Sequence, residues 1–211
     1  MDSKPRMVSI HALKGRFQPL LRPMVGALYR GGITANQVTR IAAAVSLMVA
    51  AVVLRGGPSW PLLYLLLPAW MLVRMALNAV DGMLAREFGQ QSRLGAYLNE
   101  LCDVVADAAL YLSMLGVPGV REHWLWVFAL LAALTEYAGV LGLMVGASRR
   151  YDGPMGKRDR AFGIGVLGVG LASGLLGARG VSWVAIVLSV ACMATVGLRV
   201  RASLAEASAG T

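Results

Sequence analysis

The sequence predicts an all-α integral membrane protein: six transmembrane helices preceded by an N-terminal amphipathic surface helix. Three observations carry that expectation. Hydrophobic residues make up 57% of the 211 residues and the mean hydropathy is +0.64, too apolar for an ordinary soluble domain and enough for about six spans of roughly 20 residues. The apolar residues fall in runs separated by Gly, Pro and charged clusters. The basic residues collect in alternate loops, as the positive-inside rule requires of a correctly counted set of spans.

Residues 1–33 carry Lys4, Arg6, Lys14, Arg16, Arg22 and Arg30 among Ile10, Leu13, Phe17, Leu20, Leu21, Val25 and Leu28. That mixture reads as a basic helix lying on the membrane surface, kinked or divided by Pro19 and Pro23. Gly31 and Gly32 break it, and Thr34 with Gln37 has capping-box spacing for a new helix. The spans then run from about Asn36 to Leu54, Trp60 to Ala85, Leu94 to Val117, Trp124 to Gly146, Ala161 to Ala178 and Val181 to Leu198. Arg179 and Gly180 form the expected turn between the last two. Residues 34–201 make one domain, and the tail 202–211 is small, polar and frayed.

One set of loops holds fifteen basic residues: the six N-terminal ones, Arg86, Arg93, Arg149, Arg150, Lys157, Arg158, Arg160, Arg199 and Arg201. The other holds Arg55, Arg121 and Arg179. This asymmetry places both termini in the cytoplasm, in a cytoplasmic (inner) membrane of bacterial type. The formal net charge of +9 is spread between apolar runs rather than gathered in one aromatic-interleaved patch, which fits anionic lipids and not nucleic acid. Cys102 and Cys192 sit far apart in apolar sequence and read as buried bystanders. His11 lies in the surface segment and His123 in an outer loop, neither placed as a ligand.

The polar residues inside the apolar runs carry the chemistry, because such groups are costly in a membrane. Asn78 and Asp81, three apart, share a helical face at the end of the second span. Counting about 100° per residue from Asn99, Asp103 falls at about 40°, Asp107 at about 80° and Glu100 at about 100°, all within one stripe of the third span. Facing helices would make these groups an oxygen-rich pocket near the cytoplasmic surface, suited to Mg²⁺ or Mn²⁺. Gly82 and Gly95 let a ligand approach the backbone, and the planar fork of Arg86 suits an anion. Each has a plainer reading as a packing glycine or a boundary arginine. Glu136 is a further intramembrane acid, expected to pair with Arg40 or Arg74.

The stretch Asn78 to Asp107 resembles the signature of the CDP-alcohol phosphotransferase family, D-x-x-D-G-x-x-A-R-x8-G-x3-D-x3-D. Asp81, Gly82, Ala85, Arg86, Gly95 and Asp103 match it, while Asn78 and Asn99 stand at its first and third aspartates. Thr34 to Thr39 looks like the family's P-N-x-x-T opening, with Ala35 in place of proline. The resemblance implies transfer of a substituted phosphate from a CDP-alcohol, foremost CDP-diacylglycerol, to an acceptor hydroxyl with release of CMP. It also implies a divalent-metal cofactor, surrounding membrane lipids and homodimers as a common assembly.

By the same resemblance, Asp81 and Asp103 hold metal together with Asn78 and Asn99, and Asp103 doubles as the base. Asn36, Thr39, Gly82, Ala85, Arg86 and Gly95 line the substrate pocket, and Arg149, Arg150 and Lys157 bind phosphate. An amide oxygen brings no negative charge, so Asp107 or Glu100 would have to restore what the asparagines lack. A one-metal enzyme, a shifted metal site, a pseudoenzyme that binds without turnover and an ion or proton transporter are the competing readings.

Overall fold

The computed structural model describes residues 10–209, with side chains from residue 19 onward. Much of the surface reading of residues 1–33 therefore lies outside the described residues. Helices account for nearly all of what is described, and no strand occurs among those residues. They are α1 (Ile10–Arg30), α2 (Ala35–Gly56), α3 (Leu66–Glu87), α4 (Arg93–Leu112), α5 (Glu122–Leu141), α6 (Lys157–Ala172) and α7 (Ala178–Ala209). Short 3₁₀ turns at Pro61–Leu65, Ser113–Gly116 and Gly142–Val145 extend α3, α4 and α5.

Two compact units divide the chain: Met1–Ala42 with Arg74–Glu100, and Ala43–Val73 with Leu101–Thr211. In the first, α1 passes uninterrupted through Pro19 and Pro23. Each proline removes one N–H from the ladder, and the neighbouring bonds carry the helix past it, so the expected division does not occur. The helix ends where Gly32 takes a φ of 75°, a conformation glycine adopts without strain. The backbone N–H of Ile33 then donates to Leu28 O at 3.0 Å. Thr34 and Gln37 form the expected capping box: Gln37 N–H donates to Thr34 Oγ1 at 3.2 Å, and Thr34 N–H to Gln37 Oε1 at 2.8 Å. Val25, Ala35, Val38, Val80, Met83 and Leu84 form this unit's apolar core.

In the second unit α5 packs along α7, and α6 packs on the Pro61–Leu65 turn. Gly168 makes the latter contact possible, since a Cβ there would lie 2.6 Å from Tyr64 O and 2.9 Å from Pro68 Cδ. Tyr64, Leu67, Leu110, Phe128, Ile164 and Leu167 fill the core between these elements. The joint between α6 and α7 lies at residues 173–177, not at Arg179 and Gly180, which belong to α7. Gly174 with φ 73° stops α6, and Leu176 N–H closes the turn on Gly170 O at 2.9 Å. The tail is also more ordered than expected: α7 continues to Ala209, tied at Glu206 to Ser148 and Arg150.

Among the described residues four helical stretches are long and apolar enough to cross a membrane: Ala35–Gly56, Pro61–Glu87, Glu122–Val145 and Ala178–Ala209. Their outward faces stay apolar, as at Trp126, Leu130, Leu134 and Tyr137 of α5 or Trp183, Val187, Val190 and Met193 of α7. Such stripes suit lipid and not water. The chain is an integral membrane protein. Two of the six expected spans fall short on length or charge. α4 carries Arg93, Glu100, Asp103 and Asp107 in 20 residues. α6 has 16 residues, about 24 Å of helix against a hydrocarbon layer of about 30 Å.

Candidate active site

The signature's first half lies in the first unit, where α3 ends beside the start of α2. Asp81 is buried, and the Thr39 hydroxyl, 3.1 Å from Ala35 O, donates to Asp81 Oδ2 at 2.8 Å. Thr39 lies one turn into α2, which begins at Ala35 behind the capping box, and is buried there. Asn78 sits one turn before Asp81 on the same helix, half-buried. The Arg86 guanidinium folds back over Gly82: a Cβ at Gly82 would meet Arg86 Nη2 at 2.9 Å. Ala85 packs against the unit's apolar core.

The loop before α4 is fastened to the start of α2. Gln90 Oε1 accepts from Ala35 N–H at 2.7 Å, a contact that the sequence does not announce because the residues are 55 apart. A Cβ at Gly95 would lie 2.7 Å from Asn36 Oδ1 and 2.9 Å from Ser92 Oγ. Glycine is therefore required at residue 95 to bring Asn36 this close. Ser92 Oγ in turn accepts from Gly95 N–H at 2.9 Å.

The second half, in the second unit, is a ladder of ion pairs. Lys157 of α6 is paired with buried Asp103 of α4. One turn further along each helix, Arg160 Nη2 lies 3.7 Å from Asp107 Oδ2. The spacing explains the match, since residues three and four apart on a helix share a face. Arg160, only 1% exposed, fills its remaining donor positions. Its Nη2 reaches Glu136 Oε1 at 2.8 Å, Nη1 reaches Thr135 Oγ1 at 2.6 Å and Met155 O at 3.0 Å, and Nε reaches Tyr111 Oη at 3.3 Å. Tyr111 Oη donates to Asp107 Oδ2 at 3.1 Å.

Glu136 is thus paired with Arg160 and not with Arg40 or Arg74. Arg149 Nη2 at 3.6 Å and Arg199 Nη1 at 3.7 Å add to its surroundings. The cause is the start of α6 at Lys157, four residues ahead of the expected Ala161, which carries Lys157 and Arg160 out of the loop and into a helix. Sequence reasoning assigned Arg160 and Arg199 to topology. One signal pointed elsewhere: Glu136 is an acid deep in an apolar run and demands buried cations.

Hard oxygen donors are present at Asp81, Asn78, Asn99 and Asp103, yet among the described residues no three His, Cys, Asp or Glu side chains converge as an all-acid cage would require. Each unit by itself offers oxygen donors of the kind a Mg²⁺-like ion takes, a carboxylate and two amides at Asp81, Asn78 and Asn99 in the first and a carboxylate at Asp103 in the second. Asp107 is in contact with Tyr111 and Arg160.

Relatives place this arrangement in context. The chain is 43% identical over 165 residues to the inner membrane protein YnbA of Escherichia coli K12, covering 78% of this chain and 81% of that protein. It is 28% identical over 194 residues to the phosphatidylinositol phosphate synthase of Mycobacteroides abscessus, covering 88% and 84%. Its fold matches crystal structures of the Mycobacterium tuberculosis phosphatidylinositol phosphate synthase PgsA1. The form with manganese and citrate aligns at a TM-score of 0.71 and 21% identity, over 86% of this chain and 88% of that one. The form with CDP-DAG bound aligns at the same score and identity, over 86% and 92%. With a family model matching residues 32–197, the chain belongs to the CDP-alcohol phosphatidyltransferase family.

Proposed function

We propose that this protein transfers a substituted phosphate group from a CDP-alcohol, CDP-diacylglycerol foremost, to the hydroxyl of an acceptor alcohol, releasing CMP in phospholipid synthesis. The observation that carries the reading is the retained signature Asp81, Gly82, Ala85, Arg86, Gly95 and Asp103, with both aspartates buried on apolar helices. The CDP-DAG and manganese bound by the M. tuberculosis synthase support it.

Asp103 accepts the proton of the acceptor hydroxyl as its oxygen bonds to phosphorus, and the bond from phosphorus to the CMP oxygen breaks. Lys157 orients the Asp103 carboxylate. Asp81 is a cation ligand, oriented by Thr39, and Asn78 and Asn99 offer amide oxygens. A Mg²⁺ or Mn²⁺ held by these residues would supply charge that offsets that of the pyrophosphate. Arg86 and the backbone at Gly82 bind the CDP phosphates, with Asn36 beside Gly95 at the pocket's edge. α4 and α6 complete six spans, with α1 on the membrane surface and both termini cytoplasmic.

Asn78 and Asn99 favour one other reading, a pseudoenzyme that binds nucleotide-lipid without turnover. Purified protein incubated with CDP-diacylglycerol, Mg²⁺ and a panel of alcohols separates the two. The proposed function requires acceptor-dependent CMP release. Tight CDP-diacylglycerol binding with no release under any acceptor supports the pseudoenzyme.

A further inference from the structure

The segment between α5 and α6 delivers Lys157 to Asp103, and its backbone is held against both of the helices beside it. On the α5 side, Arg150 N–H donates to Gly139 O at 3.1 Å. A Cβ at Gly139 would lie 2.7 Å from Arg150 O, so glycine is what admits the segment this closely. The Arg150 side chain turns along the segment, with Nε 2.8 Å from Asp152 Oδ2. On the α7 side, Arg199 Nε donates to Asp152 O at 3.1 Å. Gly153 takes a φ of 105°, and a Cβ there would lie 2.6 Å from Thr195 Cγ2.

Thr195 makes the hold that lies nearest to α6. It is fully buried in α7, and its hydroxyl donates to Ala191 O at 2.8 Å, as a helical threonine commonly does. With its proton placed there, the oxygen keeps acceptor capacity and takes the N–H of Met155 at 3.0 Å. Met155 O accepts in turn from Arg160 Nη1 at 3.0 Å. Side chains thus take both backbone groups of Met155, two residues before α6 begins at Lys157. Gly156 N–H donates to Asp159 Oδ2 at 2.9 Å, which closes the first turn of α6 directly behind Met155. The first turn sets the phase of a helix, and the phase decides where Lys157 projects. Arg160 has Glu136, Thr135 and Tyr111 to keep it in place. Lys157 stands at the helix start on a flexible stem, with 30% of its side chain exposed.

We propose, resting on the function given above, that Thr195 is a positioning residue for the transfer. Through Met155 it fixes the start of α6, and so the hold of Lys157 on the Asp103 carboxylate.

The test uses the full-length protein with CDP-diacylglycerol, Mg²⁺ and an accepted alcohol. Thr195→Val keeps the methyl that faces Gly153 and removes the acceptor for Met155, whereas Thr195→Ser keeps the acceptor. Thr195→Val should lower kcat about tenfold while the KM for CDP-diacylglycerol stays within about twofold of native. Thr195→Ser should keep most of the native rate. A native kcat in Thr195→Val, a loss confined to KM, or an equal loss in Thr195→Ser overturns the proposal. Silence of the native protein with every alcohol counts against the proposed function instead, and the positioning is then read from Lys157 itself. Acetylation of lysine amines followed by mass spectrometry carries internal references, because Lys4 and Lys14 are the other lysines of the chain. Lys157 should acetylate several-fold faster in Thr195→Val than in the native protein, with Lys4 and Lys14 unchanged. An unchanged rate at Lys157, or an equal rise at all three lysines, overturns the proposal. If Thr195→Val does not fold, Thr195→Ala, which also removes the acceptor, should give the same selective rise.

Discussion

Thr39 illustrates how a single hydroxyl prepares a carboxylate. Its hydrogen bond to Asp81 fixes one carboxylate oxygen in a buried setting, where an unmatched acceptor costs about 1–3 kcal/mol. Thr39→Val keeps the shape and removes the donor. It should lower stability by about 1–2 kcal/mol in a thermal-unfolding measurement in detergent and raise the KM for CDP-diacylglycerol more than it lowers kcat. At this scale the sequence was informative about Asp81, Asp103, Gly82 and Gly95, because a carboxylate or a glycine inside an apolar run needs a reason. It was silent about Gln90 and misplaced the partners of Glu136, since contacts 55 or 24 residues apart leave no local pattern.

The N-terminal turn of α6 is the element on which the second half of the site depends. Arg160 compensates Glu136 and Asp107 in a buried setting, and removing one partner of such a network leaves uncompensated charge at about 3–5 kcal/mol. Arg160→Met should lose that much stability, and adding Glu136→Leu should restore part of it. Failure of the second change to restore any stability would contradict the ladder. Gly168→Ala pushes a methyl into Tyr64 O and Pro68, and a loss of about 1–3 kcal/mol is expected from overpacking.

The segment between α5 and α6 responds to acid. Asp152 is held below its ordinary value of 3.8, chiefly by the Arg150 hydrogen bond. A depressed carboxylate contributes stability above its unfolded pKa and loses it as the pH falls through the folded one. Amide hydrogen exchange at residues 148–152 should therefore show steady protection from pH 7 to about 5 and loosening below about pH 4. Unchanged protection down to pH 2 would count against the Arg150 pair. Periodicity placed this segment's far end at Ala161 because Lys157, Arg158 and Arg160 look like a loop. Lys157 and Arg160 are instead matched from the first turn of α6 to Asp103, Asp107 and Glu136, ion pairs that are invisible to hydropathy.

For the whole molecule, composition was enough to read an all-helical membrane protein, since 57% hydrophobic residues leave few alternatives. The number of crossings was less legible. α4 leaves the apolar pattern through its charged residues Arg93, Glu100, Asp103 and Asp107, and α6 through its length of 16 residues. The basic asymmetry makes topology measurable: introduced cysteines at Ser3 and Ser208 should be shielded from an impermeant thiol reagent in intact cells, and one at Pro118 should be labelled. Termini labelled on opposite sides would mean an odd number of crossings.

Two buried carboxylates, Asp81 and Asp103, are proposed to carry the CMP-releasing transfer, and comparing native protein with two single substitutions tests this directly. With CDP-diacylglycerol, Mg²⁺ and an accepted alcohol, native protein should release CMP. Asp103→Asn should lower turnover by about 10²-fold or more, the scale of losing a general base, and Asp81→Asn should chiefly weaken metal and substrate binding. Native turnover indifferent to both substitutions would contradict the assignment, because no reading of the signature leaves both carboxylates dispensable.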